Sequence, residues 1–176
     1  MNLSRIIDRW AGVQPQRVAV RYRDEAWTWA HFRDRVDHAT ARLASVGVQP
    51  GDRVAWLGYN HPEMLAMLFA LSRIGAMLVP LNFRLAVPEL RAILDHADAS
   101  ALVAEPELYK PAQELSAALP LVKCIGLADA PADWFAWEGA PRATFEPKLR
   151  GEDASPVLIV YTSGTTGKPK GAVHTQ

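Results

Sequence analysis

The chain has 176 residues, which is enough for one domain with its own apolar core. Its nineteen basic and nineteen acidic side chains cancel, so the composition indicates no broad charged surface for nucleic acid or for an anionic membrane. The single cysteine, Cys124, excludes an internal disulfide, and we interpret it as a small buried side chain.

The N-terminus lacks the continuous apolar core of a signal peptide. The longest apolar run, residues 64–71, is far shorter than the roughly twenty residues that span a bilayer. We therefore predict a soluble, cytoplasmic protein without a transmembrane segment.

The first half of the chain alternates predicted strands with predicted helices. Residues 17–22 and 26–29 favour a short hairpin, and the hydroxyl of Thr28 suits the N-cap of the helix that follows. Residues 53–57 predict a buried strand. Residues 62–74 predict a helix that is apolar nearly all round and therefore buried on more than one side. The helix after Thr28 has one apolar face, because its apolar residues recur at steps of three and four. They are Phe32, Val36, Ala39, Leu43 and Val46.

The same alternation continues beyond residue 75. The predicted strands are 77–81, 100–104, 121–125 and 157–161, and the predicted helices are 88–96 and 107–119. Strands alternating with helices predict the α/β class, with a largely parallel sheet and flanking helices. The periodicity fades between residues 127 and 156, where we expect an irregular excursion with a short hairpin near residues 134–137.

The most informative segment directly follows the last predicted strand. Between Thr162 and Gly171 the chain carries three glycines, four hydroxyls and two lysines. Glycines let the backbone approach a ligand closely, and successive N–H groups can form a concave site for anionic oxygens. The hydroxyls and lysines add further donors. The segment therefore predicts a loop that binds a polyphosphate.

Other readings of this segment fail on spacing. The nucleoside-triphosphatase P-loop needs four residues between its glycine and Gly-Lys-Ser/Thr, whereas only two separate Gly164 from Gly167-Lys168, and Pro169 replaces the hydroxyl. No G-x-G-x-x-G occurs in the chain. Ser163 lacks the G-x-S-x-G context of a nucleophile.

The five histidines have no spacing typical of zinc, and we interpret His174 as a residue at the start of a helix.

The residues from Thr162 to Gly171 resemble the phosphate-binding signature of the adenylate-forming enzymes, which include the acyl-CoA synthetases. Residues 71–85, with Gly-Ala before an apolar strand that ends in Pro-Leu-Asn, resemble an early helix-to-strand segment of the same family. The resemblance implies a two-step reaction. A carboxylate attacks the α-phosphate of ATP to give an acyl-adenylate and pyrophosphate, and a thiol, usually that of coenzyme A or a carrier pantetheine, then takes the acyl group.

The resemblance also implies residue roles. The loop is expected to hold the β- and γ-phosphates of ATP, with Lys170 as the principal cation and Lys168 as a weaker candidate. Thr162 is the expected contact of Mg²⁺. The full set of expected binding residues is Thr162, Ser163, Gly164, Thr165, Thr166, Gly167 and Lys170.

The family's downstream catalytic segments have no counterpart in these residues, so no catalytic residue is assigned. We expect residues 1–176 to be the N-terminal part of an adenylation domain, an incomplete α/β unit that is inactive alone. Residues 80–85 are most similar to those of fatty-acyl and related carboxylate–CoA ligases, and this resemblance favours an acyl carboxylate as the substrate. The alternative is a stand-alone nucleotide-binding or assembly module. A sheet cut from a larger domain also predicts self-association through its unpaired edge.

Overall fold

The computed structural model describes residues 2–119, 122–139, 154–162 and 169–176. The helices are α1 Arg5–Val13, α2 Trp29–Ser45, α3 Pro62–Ile74, α4 Val87–Ala97 and α5 Tyr109–Ala118, the last preceded by a 3-10 turn, Pro106–Leu108. The strands are β1 Val18–Tyr22, β2 Glu25–Thr28, β3 Arg53–Leu57, β4 Met77–Pro80, β5 Ala99–Ala104, β6 Lys123–Gly126, β7 Phe135–Ala136, β8 Pro156–Thr162 and β9 Lys170–Thr175.

Seven strands within the described residues form one sheet, in the order β7-β6-β5-β3-β4-β8-β9. Every pair is parallel except the last, in which β9 runs antiparallel to β8. Helices α2 and α3 pack on one face of the sheet, and α4 and α5 pack on the other. Alternate strand residues supply the two cores, because successive side chains of a strand point to opposite faces. The predicted α/β class is confirmed.

Local signals read from the sequence hold in the structure. The Thr28 hydroxyl accepts a hydrogen bond from the His31 N–H at 3.2 Å, as predicted for the N-cap of α2. Gly75 ends α3 in the left-handed region, at φ 84°. Cys124 is buried, and burial raises the pKa of its thiol to about 11, which leaves it protonated at neutral pH. Helix α3 was predicted to be buried on more than one side, and its Leu65 is an exception because this side chain is exposed.

Helix α1 was not predicted from the sequence. Its Ile7 packs in a core cluster with Phe32 and Val36 of α2, and a buried arginine of α3 also contacts it. Arg73 on α3 is only 2% exposed, and its guanidinium contacts Asp8 of α1 at 2.7 Å. The same guanidinium also donates to Asp37 of α2. One buried cation thus joins three helices.

Among the described residues, no helix combines the length and the apolar composition that a membrane span requires.

The hairpin predicted near residues 134–137 is wrong. Phe135 and Ala136 instead extend the sheet as β7, in parallel pairing with β6. Trp137 then turns inward and is fully buried, where its indole N–H donates to a carboxylate oxygen of Glu63 at 3.1 Å. The other oxygen of that carboxylate accepts from Arg35 Nε at 2.6 Å.

Helix α2, which carries Arg35, also holds the backbone beside Trp137. Arg42 donates to the carbonyl oxygens of Trp137 and Glu138, at 3.2 and 2.7 Å. Partial burial opposes ionisation of Glu138, but its hydrogen bond with Arg35 and the nearby positive charges hold the pKa of Glu138 below its ordinary value. We call Arg35, Arg42, Glu63, Trp137 and Glu138 the Trp137 clamp, since it ties the segment after β7 to α2 and α3.

Candidate functional site

The carboxyl ends of the parallel strands define the candidate site. Because β3, β4, β5 and β8 are mutually parallel, the residues that follow them meet at one edge of the sheet. The chain builds β4 on one side of β3 and then returns to build β5 on the other side. In open α/β sheets, ligands bind outside the carboxyl ends of the strands at such a change of direction.

Thr162 and Lys170 lie at this edge, opposite each other. Thr162 ends β8, Lys170 begins β9, and the two are register partners in the antiparallel pair. Side chains directly opposite in such a pair lie about 5 Å apart at Cβ on the same face. Both residues are exposed, so a hydroxyl and an ammonium group stand side by side at the base of the predicted loop. This pair of donors suits an anionic oxygen, and a hydroxyl oxygen is also an acceptable Mg²⁺ ligand.

The other predicted loop residues, Ser163, Gly164, Thr165, Thr166 and Gly167, lie outside the described residues, as does Lys168. The structure therefore describes two of the seven residues that were predicted to bind ATP, Thr162 and Lys170, and both lie in strands. His174 lies in the exposed strand β9, so its interpretation as the start of a helix is wrong.

Gly171 has a structural reason other than ligand approach. It lies in extended β9, opposite Tyr161. A Cβ added at Gly171 would lie 2.8 Å from Cγ2 of Ile159 and 3.1 Å from Cζ of Tyr161. The absent side chain thus lets β9 lie close to the side chains of β8.

Gly171→Ala is expected to destabilise the chain by about 1–3 kcal/mol, because the added methyl overpacks the β8–β9 pair. Gly12→Ala in α1 is the matched control. Its Cβ would meet nothing within 4 Å, so we expect a neutral or slightly stabilising change of under about 1 kcal/mol. Urea unfolding of both variants measures the difference. Equal free energies of unfolding would contradict the packing argument.

Tyr161 connects the end of β8 to α4. Its hydroxyl and Nδ1 of His96 share a hydrogen bond of 2.8 Å, and the two rings meet edge to face at 89°. Partial burial raises the pKa of the Tyr161 phenol. The phenol therefore stays neutral and positions the strand that precedes the predicted loop.

Glu105 is a functional candidate that sequence analysis missed. It follows β5 at the carboxyl edge and is only 5% exposed. One carboxylate oxygen accepts from the Tyr59 N–H at 3.0 Å, whereas the other is buried without a hydrogen-bond partner among the described residues. A Cβ at Gly58 would lie 2.9 Å from the carboxylate carbon. An acidic residue directly after an apolar strand was the available signal.

An aromatic surface lies beside Glu105 at the same edge. The rings of Tyr59 and Phe83 meet at 4.6 Å, and the guanidinium of Arg84 lies 5.6 Å from the centre of the Phe83 ring. Phe83 and Arg84 belong to the segment 71–85 that carried the family resemblance. The edge therefore combines an exposed cation, two aromatic rings and a buried carboxylate with the Thr162–Lys170 pair.

These features define an α/β domain with a candidate ligand-binding site at the carboxyl edge of a parallel sheet. The chain belongs to the AMP-binding enzyme family, whose family model matches residues 7–176. This match confirms the resemblance to adenylate-forming enzymes drawn from the sequence.

Two relatives that are similar in sequence are named for the formation of CoA thioesters. The chain is 39% identical over 179 residues to an indoleacetate–CoA ligase of Aromatoleum aromaticum, a match covering 100% of the chain and 35% of that protein. It is 41% identical over 167 residues to a feruloyl-CoA synthase of Amycolatopsis sp, covering 95% of the chain and 32% of that protein. The chain thus spans about a third of the length of these relatives.

The fold is also similar to that of a solved structure. The crystal structure of the anthranilate CoA ligase AuaEII in complex with anthranoyl-AMP superposes with a TM-score of 0.90 at 24% sequence identity. The match covers 99% of the chain and 35% of that protein. The two share the same arrangement of helices around a mostly parallel sheet.

Proposed function

We propose that the protein to which this chain belongs is an ATP-dependent carboxylate–CoA ligase. The observation that carries the proposal is the family match over residues 7–176 together with two relatives near 40% identity that are both CoA-thioester-forming enzymes. These relatives favour a ligase over a stand-alone nucleotide-binding or assembly module. Their names also widen the choice of acid beyond fatty acids, because indoleacetate and ferulate are aromatic carboxylates.

The chemistry assigned to the loop is charge stabilisation. A carboxylic acid with a pKa of about 4.3 is already ionised at neutral pH, so the first step needs no strong base. The barrier arises from bringing an anion to a polyanion and from the charge that develops on departing pyrophosphate. Lys170 would neutralise that charge, and the Thr162 hydroxyl beside it would contact Mg²⁺ or a phosphate oxygen.

The remaining loop residues, Ser163 to Gly167, are proposed to donate N–H and hydroxyl groups to the β- and γ-phosphates. Coenzyme A is the proposed acceptor of the acyl group. We further propose that residues 1–176 form the N-terminal part of the adenylation domain and do not complete the reaction alone, because the chain spans about a third of its relatives' length.

The proposal is tested by carboxylate-dependent exchange of labelled pyrophosphate into ATP, measured on the full-length parent protein. The panel holds indoleacetate, ferulate, benzoate and fatty acids of several lengths, with Mg²⁺ present. We expect exchange with at least one acid, followed by thioester formation when coenzyme A is added. Absence of exchange across the panel, with the protein folded, would overturn the assignment.

We also propose that the isolated 176-residue chain self-associates through β9. Within the described residues β9 is the last strand of the sheet, and all six of its residues are exposed. Exposed strand edges pair readily with other chains. Antiparallel pairing of two copies about the centre of β9 would set Lys170 opposite Thr175, so no like charges would face each other.

Val173→Lys is expected to weaken this self-association, because a charge on an edge strand opposes pairing. Val13→Lys provides a matched control on α1, and both valines are exposed in the structure. Sedimentation velocity over a range of concentrations measures the effect. A wild-type chain that stays monomeric at high concentration contradicts the proposal, and so does an equal effect of the two variants.

A further inference from the structure

Helix α1, the β1–β2 hairpin and the start of α2 present an exposed apolar surface. Three of its side chains are exposed apolar residues: Trp10 at 36%, Val13 at 65% and Val18 at 38%. Trp10 stacks on Trp29, with ring centroids 5.9 Å apart. We call Trp10, Val13, Val18 and Trp29 the N-terminal patch.

Backbone hydrogen bonds bring together the segments that carry the patch residues. The Gln14 N–H donates to the Trp10 carbonyl, and the Arg17 N–H donates to the Gln14 carbonyl. The Trp29 N–H then donates to the Arg17 carbonyl at 3.0 Å. The end of α1, the start of β1 and the start of α2 therefore meet at one place on the surface.

Arginines surround this patch. Arg9 precedes Val13 by four residues on α1, and Arg33 follows Trp29 by four residues on α2, so each lies one turn from a patch residue on the same helix face. Arg17 immediately precedes Val18. Arg9 and Arg17 are exposed, and the side chain of Arg33 is 42% exposed. The patch thus has an apolar centre and a cationic rim.

The nearby acidic groups offset this charge only in part. Asp8 is paired with the buried Arg73 of α3. Asp34 lies 3.8 Å from Arg33, in a contact between two exposed side chains. Asp24 and Glu25 lie at the opposite end of the β1–β2 hairpin from the Val18–Thr28 pair. The rim of the patch therefore remains positive although the whole chain has a formal net charge of zero.

We propose that the N-terminal patch docks on the surface of a lipid bilayer that contains anionic lipids. Arginines are complementary to anionic headgroups, and tryptophan prefers the boundary between headgroups and acyl chains. The exposed valines favour this partner over a nucleic acid, because aliphatic side chains gain by entering the acyl region but do not stack on bases. A second copy of the chain is disfavoured, since two cationic rims would face each other.

The test is co-sedimentation of the 176-residue chain with vesicles. We expect binding to vesicles of phosphatidylcholine with phosphatidylglycerol, weak binding to phosphatidylcholine alone, and a decrease with added salt. The double variant Arg9→Glu/Arg33→Glu is expected to bind at least about tenfold more weakly, and Val13→Ser about threefold more weakly. These substitutions change solvent-accessible side chains, so the fold should be retained, and circular dichroism of each variant checks this.

Arg91→Glu on α4 is the charge-matched control for Arg9→Glu alone, since each reverses one charge; Arg91 is an exposed arginine remote in sequence from the patch. It should reduce binding far less than Arg9→Glu does. Equal binding to both vesicle types, or an equal effect of Arg91→Glu and Arg9→Glu, would overturn the proposal. Retention on a single-stranded oligonucleotide without vesicle binding would overturn it in favour of a nucleic-acid partner. Loss of vesicle binding in the full-length parent would overturn it for the whole enzyme.

Discussion

Trp137→Ala is expected to lower the free energy of unfolding by about 3–5 kcal/mol, a large effect for one substitution. The side chain is fully buried in the core formed by α2, α3 and the sheet. Its removal leaves a cavity and also takes a hydrogen-bond donor from Glu63, which is itself buried. Chemical denaturation followed by circular dichroism measures the change.

Two further variants separate the causes. Trp137→Phe keeps most of the packing and removes only the indole donor, so we expect a loss of about 1–3 kcal/mol from the buried carboxylate left short of a partner. Trp10→Ala, at an exposed tryptophan, should cost much less than Trp137→Ala. If all three variants were equally stable, the Trp137 clamp would not hold the segment after β7.

On the proposed function, Lys170→Ala is expected to slow acyl-adenylate formation by the full-length parent about 10²–10³-fold, the range seen when one preorganised donor to a developing charge is removed. The reason is the position of Lys170 beside Thr162 at the carboxyl edge of the sheet. Because charge on the leaving pyrophosphate develops in the transition state, the loss should fall mainly on kcat rather than on KM for the carboxylate. Pyrophosphate release under saturating substrate measures the rate.

Lys110→Ala on α5 is the control, since Lys110 is also an exposed lysine but follows the 3-10 turn on another element. It should leave the rate nearly unchanged. Neither lysine variant should alter stability by more than about 0.5 kcal/mol, because both side chains are on the surface. A Lys170→Ala enzyme with wild-type kcat would remove Lys170 from the proposed phosphate site.

Periodicity predicted the elements that make the central sheet. Strand β3 and helix α3 begin and end where the sequence predicted, because each combines a clear apolar pattern with Gly or Pro at its ends. The Thr28 cap was predictable because it depends on one hydroxyl and an N–H three residues later. The family was predictable from the ten residues 162–171, since the resemblance needs only the order of residue types.

The elements that sequence analysis missed depend on partners distant in the chain. Helix α1 is anchored by Arg73, and β7 is directed by Trp137 and its contacts with Glu63 and Arg42. Strand β9 consists of exposed residues without an alternating apolar pattern, and it forms because the backbone of β8 offers a pairing edge.

The amino-acid sequence alone determined the α/β class, the order of the main strands and helices, and the family, because these follow from local periodicity and from one short motif. Only the tertiary structure brought Thr162 and Lys170 side by side, buried the Glu105 carboxylate beneath Gly58, and gathered Trp10, Val18 and Trp29 into one patch. Each of these arrangements joins residues that no local pattern relates. They arise from strand pairing and helix packing, which are set by the burial of the whole core.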